Sequence, residues 1–224
     1  MPLPGLVILD MAGTTVEDRG EVSVAFSSTL AAHGISLSDE QISRVRGAFK
    51  RQAVRDLLPP ERVDENERVY ADFRRALAQI YTNGGVREIP GASDVIRDLR
   101  ARGVKVALTT GFDRDIASLL LSSLGWGTDR LDVVVCGDQV PRGRPAPDLI
   151  FVAMKLAMVE DLAKVANVGD TRLDLESAAR AGVAWNIGVL SGAHPRAALE
   201  QAPHTHLVGS VADLPQLWGL GTRP

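Results

Sequence analysis

A single cysteine, Cys136, stands in a chain of 224 residues, so no internal disulfide can form. It follows the mostly apolar run Leu131 to Val135 and has no partner at metal-ligand spacing. A reducing, cytoplasmic setting is therefore expected. Long apolar stretches are missing too: nowhere do about 18 apolar residues follow one another, so no membrane-spanning helix is expected. Met1 to Gly5 run directly into an apolar segment without a basic region or cleavage pattern, and no export signal is expected. The basic residues form no cluster. The 25 Lys and Arg are scattered among 28 Asp and Glu for a net charge of −3, which lacks the electrostatic footprint of a nucleic-acid binder. The four histidines, His33, His194, His204 and His206, show no ligand spacing beyond His204-x-His206, which reads as a surface pair. Internal repeats and low-complexity tracts are absent. What is present is an ordinary globular composition, 45% hydrophobic, sufficient for one core with a smaller appended module.

Five short apolar runs read as buried parallel strands: Leu6 to Leu9, Val104 to Leu108, Val133 to Cys136, Val165 to Val168, and Ala184 to Val189. Helix-like segments alternate with them at Ala92 to Arg102, Arg114 to Leu124, Pro147 to Met158 and Leu173 to Ala181. A repeating β-α pattern specifies an α/β fold with a doubly wound parallel sheet, whose ligands bind beyond the carboxyl ends of the strands. Leu207 to Val211 reads as an extra edge strand. The stretch from Ser191 onward shows no chemistry.

The interval between the first strand and the Pro90-Gly91 turn breaks the rhythm. A crossover needs only about a dozen residues, so the longer interval must form a structure of its own. It reads as helical. Val22, Phe26 and Leu30 share a face until Gly34, Ser38 and Gln41 match a capping box, Ala48 to Leu58 stops at Pro59-Pro60, and Glu65 to Tyr81 ends at Asn83-Gly84-Gly85. Residues 17–86 are thus expected to form a small helical cap inserted into a core of residues 1–16 and 87–224.

Candidate chemistry lies just after the strands. Asp10 opens the segment Asp10-Met11-Ala12-Gly13-Thr14-Thr15, whose small residues let backbone groups approach a ligand. Alone, such an aspartate is more often a turn or helix-cap residue. The fourth strand ends in Gly169-Asp170-Thr171-Arg172-Leu173-Asp174, and strands one and four are neighbours in this topology. Three carboxylates converging there would repel one another, which suits a hard divalent cation such as Mg²⁺. Asp174 also fits a simple helix-capping role. After the second strand, Thr110, Gly111 and Phe112 offer a hydroxyl and backbone N–H groups to a phosphate oxygen. After the third, Arg144 between Gly143 and Pro145 supplies a fixed positive charge.

The order of these four segments resembles the haloacid dehalogenase superfamily from Leu6 to about Val189. The resemblance implies a Rossmann-like core and a covalent mechanism. Asp10 would be the nucleophile, Thr110 the phosphate-binding hydroxyl, Arg144 the basic residue, and Ala12 and Gly13 the backbone flanking the phosphoryl group. Mg²⁺ would be held by Asp10, the Ala12 carbonyl, Asp170 and Asp174. Most phosphatases of the superfamily carry a general acid and base two residues after the nucleophile, where this chain has Ala12. Loss of such a group costs on the order of 10² to 10⁴ in rate. Phosphonoacetaldehyde hydrolases have alanine there, and Asp10-Met11-Ala12-Gly13-Thr14-Thr15-Val16 closely resembles their first motif.

That branch uses a lysine of the cap to form an imine with an aldehyde, and Lys50 occupies the matching place after Gly47. If a helix starts near Ala48, Lys50 sits on an apolar stripe with Ala53, Val54, Leu57 and Leu58, as a snorkelling lysine or as an amine tuned by desolvation. The chain departs from the branch at Ala53, Arg46, Gly20 and Phe112, where histidine, methionine, cysteine and tyrosine stand. The histidine proton shuttle is thus missing, and Arg46 is suited to a carboxylate or second anionic group. The expected substrate is a small phosphonate or phosphate ester. Hydrolysis by a phosphonatase-like route, a plain phosphomonoesterase of the phosphoglycolate phosphatase kind, and a silent anion-binding protein are the readings left open. The resemblance also implies a homodimer formed through the cap.

Overall fold

The computed structural model describes residues 2–220. Met1 and residues 221–224, which the expected core boundaries include, lie outside the described residues. Six strands, β1 (Leu6–Asp10), β2 (Lys105–Thr109), β3 (Val133–Val135), β4 (Val165–Gly169), β5 (Trp185–Val189) and β6 (His206–Val208), form one sheet. Their order is β3-β2-β1-β4-β5-β6 and every pair is parallel. The fold is a doubly wound, Rossmann-like α/β sheet.

Helices α1 (Glu21–Ala32), α2 (Asp39–Arg44), α3 (Lys50–Leu57) and α4 (Asn66–Gly84) lie in sequence between β1 and α5 (Ala92–Ala101). Then follow α6 (Arg114–Leu124), α7 (Asp148–Ala157), α8 (Arg172–Ala181) and the short α9 (Arg196–Leu199) and α10 (Leu214–Leu217). No helix among the described residues is long and apolar enough to cross a membrane.

Every residue of β1 is buried because helices cover both faces of the sheet. Side chains alternate across a strand, so the two faces of β1 feed two clusters. Val7 and Leu9 pack with Ile96, Leu99, Ile116 and Leu120 of α5 and α6. Leu6 and Ile8 pack with Leu149, Ala153, Met154 and Ala178 of α7 and α8. This sandwiching fixes the register of the central strand and so fixes where Asp10, its last residue, emerges. Trp126, Trp185, Trp218 and Tyr70 are buried in the first cluster.

Within the insertion, Phe26 of α1 stacks on Phe73 of α4 with ring centroids 4.4 Å apart, and His33 meets Asp72 at 2.8 Å. Ser38 and Gln41 form the expected capping box at the start of α2. Three boundaries differ from the sequence expectation. α3 starts at Lys50 rather than Ala48, because Gly47 takes a positive φ of 80° and Phe49 is extended. The segment Pro60–Glu65 is a 3₁₀ turn opening with proline, so α4 begins one residue late and runs on to Gly84. The edge strand is His206–Val208 rather than Leu207 to Val211, because Ser210 caps a 3₁₀ turn at Val211–Asp213.

Candidate active site

Parallel pairing sets the carboxyl ends of β1, β2 and β4 side by side, with Asp10 opposite Thr109 and Leu9 opposite Val168. Loops leaving these strands and the segment from α2 to α3 enclose a small cavity. Asp10, Lys50, Thr110, Arg144 and Asp170 are among its walls. Its volume is about 40 Å³, room for about three water molecules at roughly 10–15 Å³ of centre space each.

Arg144 is the central cation. Its Nη1 lies 2.7 Å from Asp10 Oδ1, its Nε lies 2.8 Å from Asp174 Oδ1, and its Nη2 donates to Thr109 Oγ1 at 2.9 Å. The residue is buried, so the guanidinium is held by these partners rather than by water. Phe49 of the insertion packs over the adjacent Gly143, where a Cβ would come within 2.4 Å of its ring.

The three carboxylates do not converge on one point, as the sequence had suggested. Among the described residues, no three His, Cys, Asp or Glu side chains gather into a metal-ligand cluster. Asp174 is not among the cavity's walls: its Oδ2 accepts from the Thr171 N–H at 3.1 Å and from the Thr171 hydroxyl, completing a capping box on α8, while its Oδ1 pairs with Arg144. Asp10 and Asp170 line the cavity, as does Ala12. Asp170 accepts from the Thr14 hydroxyl at 3.2 Å and from the Ala193 N–H at 2.6 Å.

Burial pushes Asp10 up to about 6, against the lowering charge of Arg144 and with a further raising effect from Asp174. Burial, then Asp10 and Asp174, push Asp170 well above the ordinary carboxylate range. Burial thus penalises the charge of two carboxylates at the strand ends. Their hard oxygens, with the Ala12 carbonyl, make a donor set that fits Mg²⁺.

Thr110 is buried, its hydroxyl accepting from the Phe112 N–H at 3.1 Å and its own N–H donating to the Val135 carbonyl at 3.0 Å. Gly111 passes so close to the insertion that a Cβ would sit 2.9 Å from the Ala48 carbonyl oxygen. Lys50 is buried at the first position of α3, with Ala53, Val54 and Leu57 as the other buried residues of that helix. Its Nζ donates to the Ala48 carbonyl at 3.1 Å and lies 5.2 Å from the centre of the Phe112 ring. Burial lowers its pKa, opposed by the charge of Asp10. Arg46 lines the same cavity and donates through Nη1 to the Ala193 carbonyl at 3.2 Å.

Two parts of the site were not identified in the sequence. Asp18, whose Oδ1 accepts from the Gly20 N–H at 3.0 Å, also lines the cavity. The segment Ser191 to His194 folds against the acids. Ser191 donates to the Gly13 carbonyl at 2.8 Å, and Gly192 packs so tightly that a Cβ would lie 2.1 Å from Asp170 Oδ2. His194 Nδ1 accepts from the Arg172 N–H at 3.0 Å. This segment follows β5, so the rule that led to the other loops applies to it as well.

The chain matches the haloacid dehalogenase-like hydrolase family over residues 7–187. It is 32% identical over 214 residues to a phosphonoacetaldehyde hydrolase of Bacteroides fragilis, spanning 88% of this chain and 80% of that one. It is 31% identical over 202 residues to a Bacillus cereus protein of the same name, spanning 83% and 75%. Among solved structures, a phosphonoacetaldehyde hydrolase-like protein from Oleispira antarctica superposes with a TM-score of 0.86 at 23% identity, over 98% of this chain and 92% of that one. The chain is therefore an enzyme of the haloacid dehalogenase-like hydrolase family. Within that family it belongs to the phosphonatase-like branch.

Proposed function

We propose that the protein is a magnesium-dependent hydrolase of small phosphonate or phosphate metabolites that works through an aspartyl-phosphate on Asp10, by a phosphonatase-like route. The observation that carries this reading is that two buried residues, Lys50 and Asp10, both line one cavity. Burial lowers the lysine pKa, and a neutral amine is what attacks a carbonyl carbon.

The chemistry for a phosphonate with a neighbouring aldehyde balances as follows. Lys50 adds to the carbonyl and water leaves, giving an imine. Asp10 attacks phosphorus, the C–P bond breaks, and its electron pair moves toward the imine nitrogen. The resulting enamine carbon takes up a proton, and water hydrolyses the imine to release aldehyde and free Lys50. A second water hydrolyses the aspartyl-phosphate, releasing inorganic phosphate and restoring Asp10. One water is consumed overall.

Arg144 aligns the attacking carboxylate and offers charge to the phosphoryl oxygens, and the Thr110 hydroxyl and Gly111 flank that group. Mg²⁺ bound by Asp10, the Ala12 carbonyl and Asp170 would offset the charge on those oxygens and on the carboxylates. Asp174 acts through Arg144 and through α8 rather than as a direct ligand in this reading. The helical insertion serves as the cap that brings Lys50 and Arg46 over the phosphoryl site and keeps bulk water out.

One observation favours a plain phosphomonoesterase instead: Ala53, on the same buried face of α3 as Lys50, has no proton to shuttle. Phosphate release from phosphonoacetaldehyde, alkyl phosphates and activated aryl phosphates separates the two. Preference for the phosphonate supports the first reading, and release from aryl phosphates alone supports the second. In either case Asp10→Asn is expected to abolish release, and retained release would overturn the aspartyl-phosphate.

A further inference from the structure

Arg46 is a cation of the cavity that pairs with no carboxylate among the described residues. Arginine carries five N–H donors, and one of them, at Nη1, is used, on the Ala193 carbonyl at 3.2 Å. Among the described residues no carboxylate lies within ion-pair distance of Arg46, whereas Arg144 in the same cavity engages both Asp10 and Asp174. Arg46 is partly buried, so much of its hydration is lost without a counter-ion from the chain. The Ala193 carbonyl holds it in place, and the N–H of Ala193 binds Asp170, so the guanidinium is fixed relative to the acids at the strand ends.

A planar fork of free donors, anchored at one corner and facing a cavity, matches a carboxylate in a way that an ammonium does not. From this geometry we infer that the substrate carries a carboxylate at the end remote from phosphorus, and that Arg46 is the residue that selects it. The inference rests on the phosphoryl-transfer reading of the Asp10 site and deepens it. The cavity is small, about 40 Å³, which favours a short connecting chain. The substrate class is thus a short carboxylated phosphonate or phosphate ester. On the imine route, it would also bear a carbonyl within reach of Lys50.

The competing role for Arg46 is a latch that holds the insertion to the core through Ala193. Binding calorimetry with Mg²⁺ present separates the two, using 3-phosphonopropionate and propylphosphonate, which share a three-carbon chain and differ in the terminal carboxylate. The wild-type protein is expected to prefer 3-phosphonopropionate by about tenfold or more, the scale of one charge-assisted contact. Arg46→Met is expected to bring the ratio close to one, and Arg46→Lys, which keeps the charge without the fork, to leave an intermediate ratio. If Arg46→Met does not fold, the lysine variant alone decides. A wild-type ratio near one, or a preference that survives substitution, would overturn the inference while leaving the phosphoryl site intact. Equal weakening of both ligands would assign Arg46 to the latch. Failure of both ligands to bind the wild-type protein would remove the phosphoryl-site reading together with the inference.

Discussion

The backbone N–H of Lys50 donates to the carbonyl of Gly111 at 3.3 Å, joining the helical insertion to the loop that follows β2. The contact requires a residue without a side chain at 111, because a Cβ there would lie 2.9 Å from the Ala48 carbonyl oxygen. Gly111→Ala is expected to push the insertion away from the strand ends and misplace Lys50. A displacement of about 1 Å can cost on the order of 10² in rate, so kcat/KM is expected to fall by about that factor with little change in thermal stability. Unchanged kinetics in a folded variant would show that the insertion need not close this tightly.

Gly192 bears on the proposed metal site. A methyl group there would overlap Asp170, which the neighbouring Ala193 N–H holds in place. Residues that orient a metal ligand typically change metal affinity or activity by about 10- to 100-fold when altered. Gly192→Ala is expected to raise the Mg²⁺ concentration needed for half-maximal activity by an amount in that range. An unaltered Mg²⁺ titration would separate Asp170 from metal binding.

Most of the candidate site was legible because short apolar runs mark the strands: Asp10 ends β1, and Thr110, Arg144 and Asp170 come after β2, β3 and β4. The helical insertion was legible from capping and breaker residues such as Ser38, Pro59 and Gly85. The segment after β5 was missed because it acts through the Ala193 N–H and carbonyl, which no side-chain pattern announces. The absence of a Cβ at Gly192 was its one available signal. The role of Asp174 was not legible for a different reason. A carboxylate four residues beyond Asp170 is equally placed to reach a metal, to cap α8 or to pair with an arginine, and the sequence does not announce its contacts with Thr171 and Arg144.

Thr171 caps α8 and engages Asp174. Thr171→Ala removes the side-chain acceptor for the Asp174 N–H and leaves one oxygen of a buried carboxylate with fewer donors. Loss of an N-cap typically costs about 0.5–2 kcal/mol. A lowered urea midpoint with an unchanged slope is expected. An unchanged midpoint would show that the capping box contributes nothing net.

Lys50 makes stability depend on pH. Its folded pKa is lowered by burial, so between that value and the ordinary lysine value of 10.5 the unfolded chain binds the proton more readily. Stability conferred at this position therefore rises with pH through that window, and the penalty for burying the ammonium is fully present below it. Lys50→Met is expected to raise the melting temperature at neutral pH, with a gain that shrinks as pH approaches 10.5. A gain independent of pH would mean that the amine is not desolvated in the folded protein.

Borohydride trapping with phosphonoacetaldehyde and Mg²⁺, read by intact mass, tests the role of Lys50 most directly. The wild-type protein is expected to gain a stable adduct that Lys50→Ala does not form. Absence of the adduct in the wild-type protein, or its persistence in Lys50→Ala, would contradict imine chemistry at Lys50 and leave a phosphomonoesterase as the reading.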